Sequence, residues 1–362
     1  GSISCSFANR TYSNLILETT SGIWTCNISQ SSNLTINGDL TVSENVILNT
    51  HAMTGTLASN GNVSISGTFN SNSFDIAGGK TLTINSGGLL EVYPNESVNI
   101  SGTLINNSGI SGLVLKSDAT GTAEMIHSGT VAATVERYVP VTSTAIQHYL
   151  SSPVSAATIS CILDNGFGNY NAYKYNPAAS GGINDRWERV FSGDAMNFGV
   201  GYTIPYEYTS SIAKTISFSG NLNSSTNTTA VSNTDGHWNL LGNPYSAPLS
   251  VSSFLTANSS VIYGAVYYFD DNGSPYNTTD YAIHNRTTSS QTSYTNGIDG
   301  QPYIAIGQGF FVESNAGGST VTFNPAWRTS GQSPVFFTPA LDPIQRFYIS
   351  VTDKNNVYNE IL

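Results

Sequence analysis

Short apolar runs in near-strict alternation fill the first third of the chain. Leu15-Ile16-Leu17, Leu34-Thr35-Ile36, Leu40-Thr41-Val42, Val46-Ile47-Leu48 and Val63-Ser64-Ile65 each place apolar side chains two residues apart, bounded by Gly, Asn or Ser. A period of two marks strands with one buried face. Almost no helical periodicity interrupts them.

The strands also repeat. Val63-Ser64-Ile65-Ser66-Gly67-Thr68 returns as Val98-Asn99-Ile100-Ser101-Gly102-Thr103, and Leu34-Thr35-Ile36-Asn37 returns as Leu82-Thr83-Ile84-Asn85. These offsets, 35 and 48 residues, fit multiples of a coil of about 16–18 residues. The expectation is an all-β chain that begins with a parallel β-helix over residues 1–128. Aliphatic side chains would stack inside it, with Gly and Asn at its corners. A β-sandwich is the alternative, but its strands are normally longer and joined by true hairpins.

Near Ala133 the pattern changes. Strands lengthen, and Tyr and Trp become common. Thr134-Val135-Glu136-Arg137-Tyr138-Val139 alternates cleanly up to Pro140. Further strands are predicted over 147–151, 172–175, 187–191, 202–206, 215–218, 237–241, 265–269, 303–306, 310–313 and 320–323. Turn residues between them point to an antiparallel β-sandwich or jelly-roll-like module over 129–345. One short helix is predicted from Ser250 to Leu255, with Ser250 as its cap. Residues 346–362 read as the start of a following strand region, as in a fragment of a longer chain.

The central stretch is His237-Trp238-Asn239-Leu240-Leu241-Gly242-Asn243-Pro244-Tyr245-Ser246. Proline lacks an N–H and restricts the residue before it, so this reads as a buried strand ending in a fixed turn.

Composition narrows the function classes. The 362 residues suit two domains, and only 10% are charged. The polar surface therefore falls to Ser, Thr, Asn and Gly, as in many secreted β proteins. With 39% hydrophobic and 11% aromatic residues the chain is not of disordered type. A net charge of −11 argues against nucleic acid, which needs Lys and Arg along its phosphates. No apolar stretch is long enough for a transmembrane helix, and no signal peptide is visible. Of three cysteines, Cys5 and Cys26 are the expected disulfide, roughly one coil apart, and Cys161 reads as a buried small hydrophobe.

A resemblance joins these parts. Gly-Leu-Val-Leu-Lys-Ser-Asp at 112–118 and Ala-Thr-Val-Glu-Arg-Tyr-Val at 133–139 are followed by Gly201-Tyr202 and then Phe218-Ser219-Gly220-Asn221-Leu222-Asn223. Trp-Asn-Leu-Leu-Gly-Asn-Pro-Tyr at 238–245 and Gly-Gln-Gly-Phe-Phe-Val at 307–312 complete the order. The series resembles the join of a β-helix and a sandwich module in large secreted proteins of Bacteroidetes. Such proteins leave the cell through the type IX secretion system. The resemblance implies an extracellular or outer cell-surface address and contact with that machinery during export. It implies no catalytic residue set.

The residues themselves suggest two binding sites. Trp187, Tyr173 and Tyr175 could stack on sugar rings, with Trp187 the best exposed candidate; the competing reading is an aromatic core that also takes in Trp238. Asp270, Asp271 and Asn272 form the densest acidic turn. It is either a calcium site, with Asp164, Asn165, Asp280 and Asp299 as candidate further ligands, or an ordinary Asx-rich turn. Calcium is the one cofactor suggested. Asp39, Glu44, Asp75, Glu91 and Glu96 are scattered along the β-helix, and the five histidines are isolated, so no catalytic constellation emerges. The expected role is a non-enzymatic adhesive or structural module: the β-helix as stalk, the sandwich as contact domain, and a glycan or surface protein as partner. The alternatives are a carbohydrate-binding module of a polysaccharide-degrading protein, a self-assembling filament subunit, and a β-helix lyase or hydrolase.

Overall fold

The structure, a computed structural model, describes residues 2–5, 11–29, 31, 33–139, 147–164, 171–179, 183–204, 214–234, 237–270, 280–291, 299–315, 320–332, 348–353 and 356–361. It is mostly β. A parallel β-solenoid over residues 11–135 is followed by small antiparallel sheets.

Each solenoid coil supplies up to three short strands, one to each of three parallel sheets. The first sheet stacks Ser2–Ser4, Trp24–Asn27, Val46–Asn49, Thr68–Ser71, Leu89–Val92, Leu113–Leu115 and Ala132–Val139. The second stacks Thr11–Tyr12, Leu34–Ile36, Leu57–Ser59, Phe74–Ile76, Ser97–Ile100 and Glu124–Ile126. The third stacks Leu15–Leu17, Leu40–Val42, Val63–Ile65, Thr81–Ile84 and Thr103–Asn106. Alternation within each strand sends every second side chain inward, and the register aligns these into columns. Cys26, Leu48, Phe69, Leu90 and Leu113 form one column; Leu34, Leu57, Phe74, Val98 and Met125 form another. All ten side chains are buried.

The coil is longer than the 16–18 residues expected. Asn27 and Asn49 meet on adjacent rungs 22 residues apart, Asn49 and Asn70 at 21, and Asn37 and Asn60 at 23. The recurring segments misled because they occupy different sheets. Val63 lies in the third sheet and Val98 in the second; Leu34 lies in the second and Leu82 in the third. One strand-and-corner chemistry serves two sides of the coil.

Corner residues hold the rungs in register. Asn14 Oδ1 accepts the Asp39 N–H at 2.8 Å, Asp39 Oδ1 accepts the Asn62 N–H at 2.8 Å, and Asn62 Oδ1 accepts the Thr81 N–H at 3.0 Å. Each side chain thus satisfies a corner donor of the next coil. Asn45 and Asn95 hold left-handed backbone, with φ of 62° and 65°. A Cβ at Gly61 would sit 2.2 Å from the Gly38 carbonyl of the coil above, so only glycine fits there.

The first sheet does not stop with the solenoid. Ala132–Val139 pairs in parallel with Leu113–Leu115 on one edge. Its other edge pairs antiparallel with Lys214–Leu222, from Ala132 opposite Asn221 to Val139 opposite Lys214. Val154–Ser155 adds the ninth strand. The solenoid core continues with it, through Val135 and Phe218 to Leu150, Tyr202 and Ile306.

Beyond this sheet lie two further layers of strands. A four-stranded sheet contains Tyr149–Leu150, Tyr202–Thr203, Ala172–Tyr175 and Trp187–Val190. A five-stranded sheet contains Trp238–Gly242, Gly309–Glu313, Ala265–Phe269, Tyr281–Asn285 and Ser289–Gln291. Leu240, Phe269 and Phe311 of the second meet Tyr149 and Tyr175 of the first. On the opposite face Leu241, Val266, Tyr268, Phe310 and Val312 meet Phe254 and Leu255 of the helix Val251–Ala257, and Val321 and Phe323. Burial on both faces explains why the adjacent pairs Leu240-Leu241 and Phe310-Phe311 are apolar without alternation. The helix begins where the sequence suggests: the Ser250 hydroxyl accepts the Ser253 N–H at 3.3 Å. Smaller pairs join Asn227–Ala230 to Thr320–Phe323 and Leu249–Ser250 to Tyr303–Ile304, and Tyr348–Asp353 pairs with Asn356–Ile361.

Candidate functional site

The strand Trp238–Gly242 ends at Asn243-Pro244, as proline dictates, and the turn is wholly buried. Its polar groups are therefore matched inside the protein. Asn243 Nδ2 lies 3.0 Å from the Ala247 carbonyl, 3.0 Å from Ile304 and 3.2 Å from Ala305. Its Oδ1 accepts the Tyr245 N–H at 3.0 Å, its carbonyl accepts the Ser151 hydroxyl at 2.9 Å, and its N–H donates to Gln308 O at 3.0 Å. Gly242 is obligatory beside it: a Cβ there would lie 2.1 Å from the Ser151 Cβ. The glycine of Gln308-Gly309 is required in the same way, with Tyr149 Cβ 2.7 Å from where a Cβ would go.

The turn then reaches the solenoid. Ser246 Oγ donates to the Met125 carbonyl at 2.9 Å, and the Met125 N–H donates to Ser246 O at 2.7 Å. Two more ties flank this pair. Arg328 Nη2 donates to the His127 carbonyl at 2.8 Å, and the Gly331 N–H donates to Glu124 Oε2 at 2.7 Å. The Arg328 guanidinium also lies over the Tyr245 ring, 5.6 Å from its centroid. Burial, then the Arg328 charge, push the His127 imidazole down to about 4. Burial pushes the Tyr245 phenol above its ordinary value. These contacts span 121, 201 and 207 residues, and nothing in the sequence pattern announces them.

Trp187, Tyr173 and Tyr175 share the four-stranded sheet, with Trp187 directly opposite Tyr175. They do not present a flat platform. The Trp187 ring crosses Tyr175 at 76° with centroids 5.2 Å apart, and crosses Phe311 at 83° and 6.2 Å. Tyr149 lies 5.9 Å away, tilted. Tyr175 is buried, while Trp187 and Tyr173 are half-buried. Trp238, expected in the core, is also half-buried, edge-on to Tyr267 at 4.7 Å. The interlocked rings fill the space between two sheets, as aromatic pairs do in cores. Beside them, the Asn176 amide and Lys174 hold the Glu188 carboxyl below its usual range.

Asp270 is fully buried, and its N–H donates to the Asp280 carbonyl at 2.7 Å. Asp271 and Asn272, the other two residues of the suggested calcium turn, lie outside the described residues, as does Asn165. Asp164 and Asp299 are exposed. Among the described residues no group of three or more His, Cys, Asp or Glu side chains could hold a metal ion. Cys5 and Cys26 form a disulfide between adjacent rungs of the first sheet, with Cα atoms 5.7 Å apart. Burial and Asp164 push the Cys161 thiol up to about 12, and its sulfur sits 3.6 Å from that of Met196.

A groove of about 580 Å³ lies on the outer face of the second solenoid sheet. Its walls are the outward positions of three stacked strands, with Ala58, Asp75 and Asn99 as the central column. Asn60, Ser97 and Ser101 flank that column. Asn99 Nδ2 donates to Asp75 Oδ1 at 2.9 Å, whereas Asn99 Oδ1 has no hydrogen-bond partner. Apart from Asp75, the side chains of this face are small and carry no signal in the sequence; only coil stacking aligns them.

No helix of the described residues is long and apolar enough to cross a membrane. No curated protein and no solved structure matches the chain. A family described as Domain of unknown function (DUF8693) matches residues 53–362, from the middle of the solenoid through the antiparallel sheets. The matched region thus includes the junction as well as the sheets beyond it, and the chain belongs to the DUF8693 family.

Proposed function

We propose that the chain is a non-enzymatic extracellular or cell-surface module. The solenoid acts as a stiff spacer, and the antiparallel sheets, locked to its end, face a glycan or surface-protein partner. The observation that carries this reading is the nine-stranded sheet running unbroken from the solenoid into Lys214–Leu222. A stiff spacer holds its contact domain in a fixed orientation only if its far end cannot swivel. Here the strand Ala132–Val139 belongs to both halves, and three further polar ties cross the junction. The Cys5–Cys26 disulfide supports an oxidising, extracytoplasmic setting. The motif order from Gly201-Tyr202 to Phe310-Phe311 supports the finer proposal, a surface protein of the Bacteroidetes type exported by type IX secretion.

Pulling single molecules of the chain by tethers at residues near its two ends tests the spacer reading. One force peak should release the last solenoid coils and the antiparallel sheets together. Release of the antiparallel sheets at low force, with the solenoid intact, would remove it.

A further inference from the structure

We propose that the groove on the second solenoid sheet binds a neutral polysaccharide, laid along the solenoid axis across the strands Leu57–Ser59, Phe74–Ile76 and Ser97–Ile100. The chemistry of the face selects this occupant. Its volume, about 580 Å³, is in the roughly 300–1,000 Å³ range of small-ligand sites. Among the described residues no Lys or Arg lines it, and the one charged group there is the exposed carboxylate of Asp75. Uronate, sulfate and phosphate groups would be repelled rather than paired. The lining holds no exposed large apolar side chain to take a lipid or an aromatic ligand.

A peptide strand is disfavoured as well. Strand addition needs an open sheet edge, and Phe74–Ile76 is already paired on both sides. What remains is a polyhydroxylated, uncharged chain. The exposed Asp75 carboxylate accepts from hydroxyls, its position held by the Asn99 amide, while the Asn60 amide and the Ser97 and Ser101 hydroxyls can donate or accept. Ala58 leaves a small apolar floor for the C–H face of a sugar ring.

The repeat of the face matches a repeating ligand. Stacked strands lie about 4.8 Å apart, so equivalent positions recur along the axis at a fixed interval. A ligand built of identical units can meet a polar group on each successive rung. This site does not depend on the spacer reading and lies away from the aromatic cluster around Trp187.

The test is calorimetric titration of the chain with cellohexaose, xylohexaose and mannohexaose, and with hexagalacturonate as the anionic counterpart. Saturable binding of at least one neutral hexasaccharide is expected, with little or none of the galacturonate. Asp75→Ala, at the surface, should weaken it at least tenfold, and Ala58→Trp, which fills the floor, should abolish it. Trp187→Ala should leave it unchanged. Circular dichroism and melting temperature establish that each variant is folded; if Ala58→Trp is not, Asp75→Ala carries the comparison. The proposal is overturned by no binding of any neutral hexasaccharide, by preference for hexagalacturonate, or by binding that survives the groove variants and is lost with Trp187. None of those results touches the pulling experiment, so the spacer reading stands or falls separately.

Discussion

Ser246 takes up both backbone hydrogen-bonding groups of Met125, 121 residues away: its carbonyl accepts the Met125 N–H, and its hydroxyl donates to the Met125 carbonyl. In a strand, the N–H and C=O of one residue point to the same side. On Glu124–Ile126 that side is where another coil would pair, so Ser246 stands in for the missing rung. An open edge of the solenoid is covered by a buried turn of the antiparallel region.

Ser246→Ala would leave the buried Met125 carbonyl without its hydroxyl donor. The expected cost is about 1–3 kcal/mol, the usual penalty for an unmatched buried polar group. Chemical denaturation should show a lowered midpoint with an unchanged slope. A shift of the same size in Ser250→Ala, whose helix cap is of a different kind, would not bear on this; no shift in Ser246→Ala would contradict the capping role.

Asn243→Ala should cost more. It removes the amide that lies against three carbonyls and the oxygen that accepts from Tyr245. A loss of about 3–5 kcal/mol is expected from several buried groups left unmatched together. Asn243→Asp should be nearly as damaging, because a carboxylate cannot donate to the Ala247 and Ile304 carbonyls. The readout is the denaturation midpoint of each variant beside that of the parent chain.

Stability should fall with mild acid, and His127 should account for part of the fall. The imidazole titrates near 6.5 in an unfolded chain and near 4 when folded. Between those values the unfolded state binds the extra proton, so the contribution is complete above pH 6.5 and drains away as pH drops towards 4. At most about 3 kcal/mol is at stake. His127→Gln, which does not titrate, should flatten the stability curve from pH 6.5 to 4 while leaving its slope at lower pH.

Reducing the Cys5–Cys26 disulfide should act locally. The bridge spans 21 residues, and closing a loop of that size contributes about 3 kcal/mol by chain entropy. Hydrogen exchange should quicken in Trp24–Asn27 and Val46–Asn49 after reduction, with Lys214–Leu222 unchanged. Faster exchange throughout the chain would mean that the first coil supports the whole solenoid.

The solenoid was legible because its inward positions follow strict alternation. Leu40, Val42, Val63 and Ile65 announce strands by themselves, and Gly61 and Asn45 announce corners. Coil length was not legible, since Val63 and Val98 carry the same local signal on different sides of the coil. In the later region Ala172–Tyr175, Ala265–Phe269 and Thr320–Phe323 fall where the pattern puts them. The role of Ser246, Arg328 and Glu124 was hidden, because a serine or arginine reveals nothing of a partner more than a hundred residues distant. The surroundings of Trp187 were hidden for a related reason: Tyr175, its cross-strand partner, and Phe311, from the five-stranded sheet, both close on its ring.

The central claim is that the solenoid end and the antiparallel sheets form one cooperative unit. Native-state hydrogen exchange in rising guanidinium tests it most directly. Amides of Leu89–Val92, Ala132–Val139, Lys214–Leu222 and Trp238–Gly242 should converge on a single opening free energy and share one dependence on denaturant. Two separate isotherms, with Trp238–Gly242 opening while Leu89–Val92 stays protected, would contradict it.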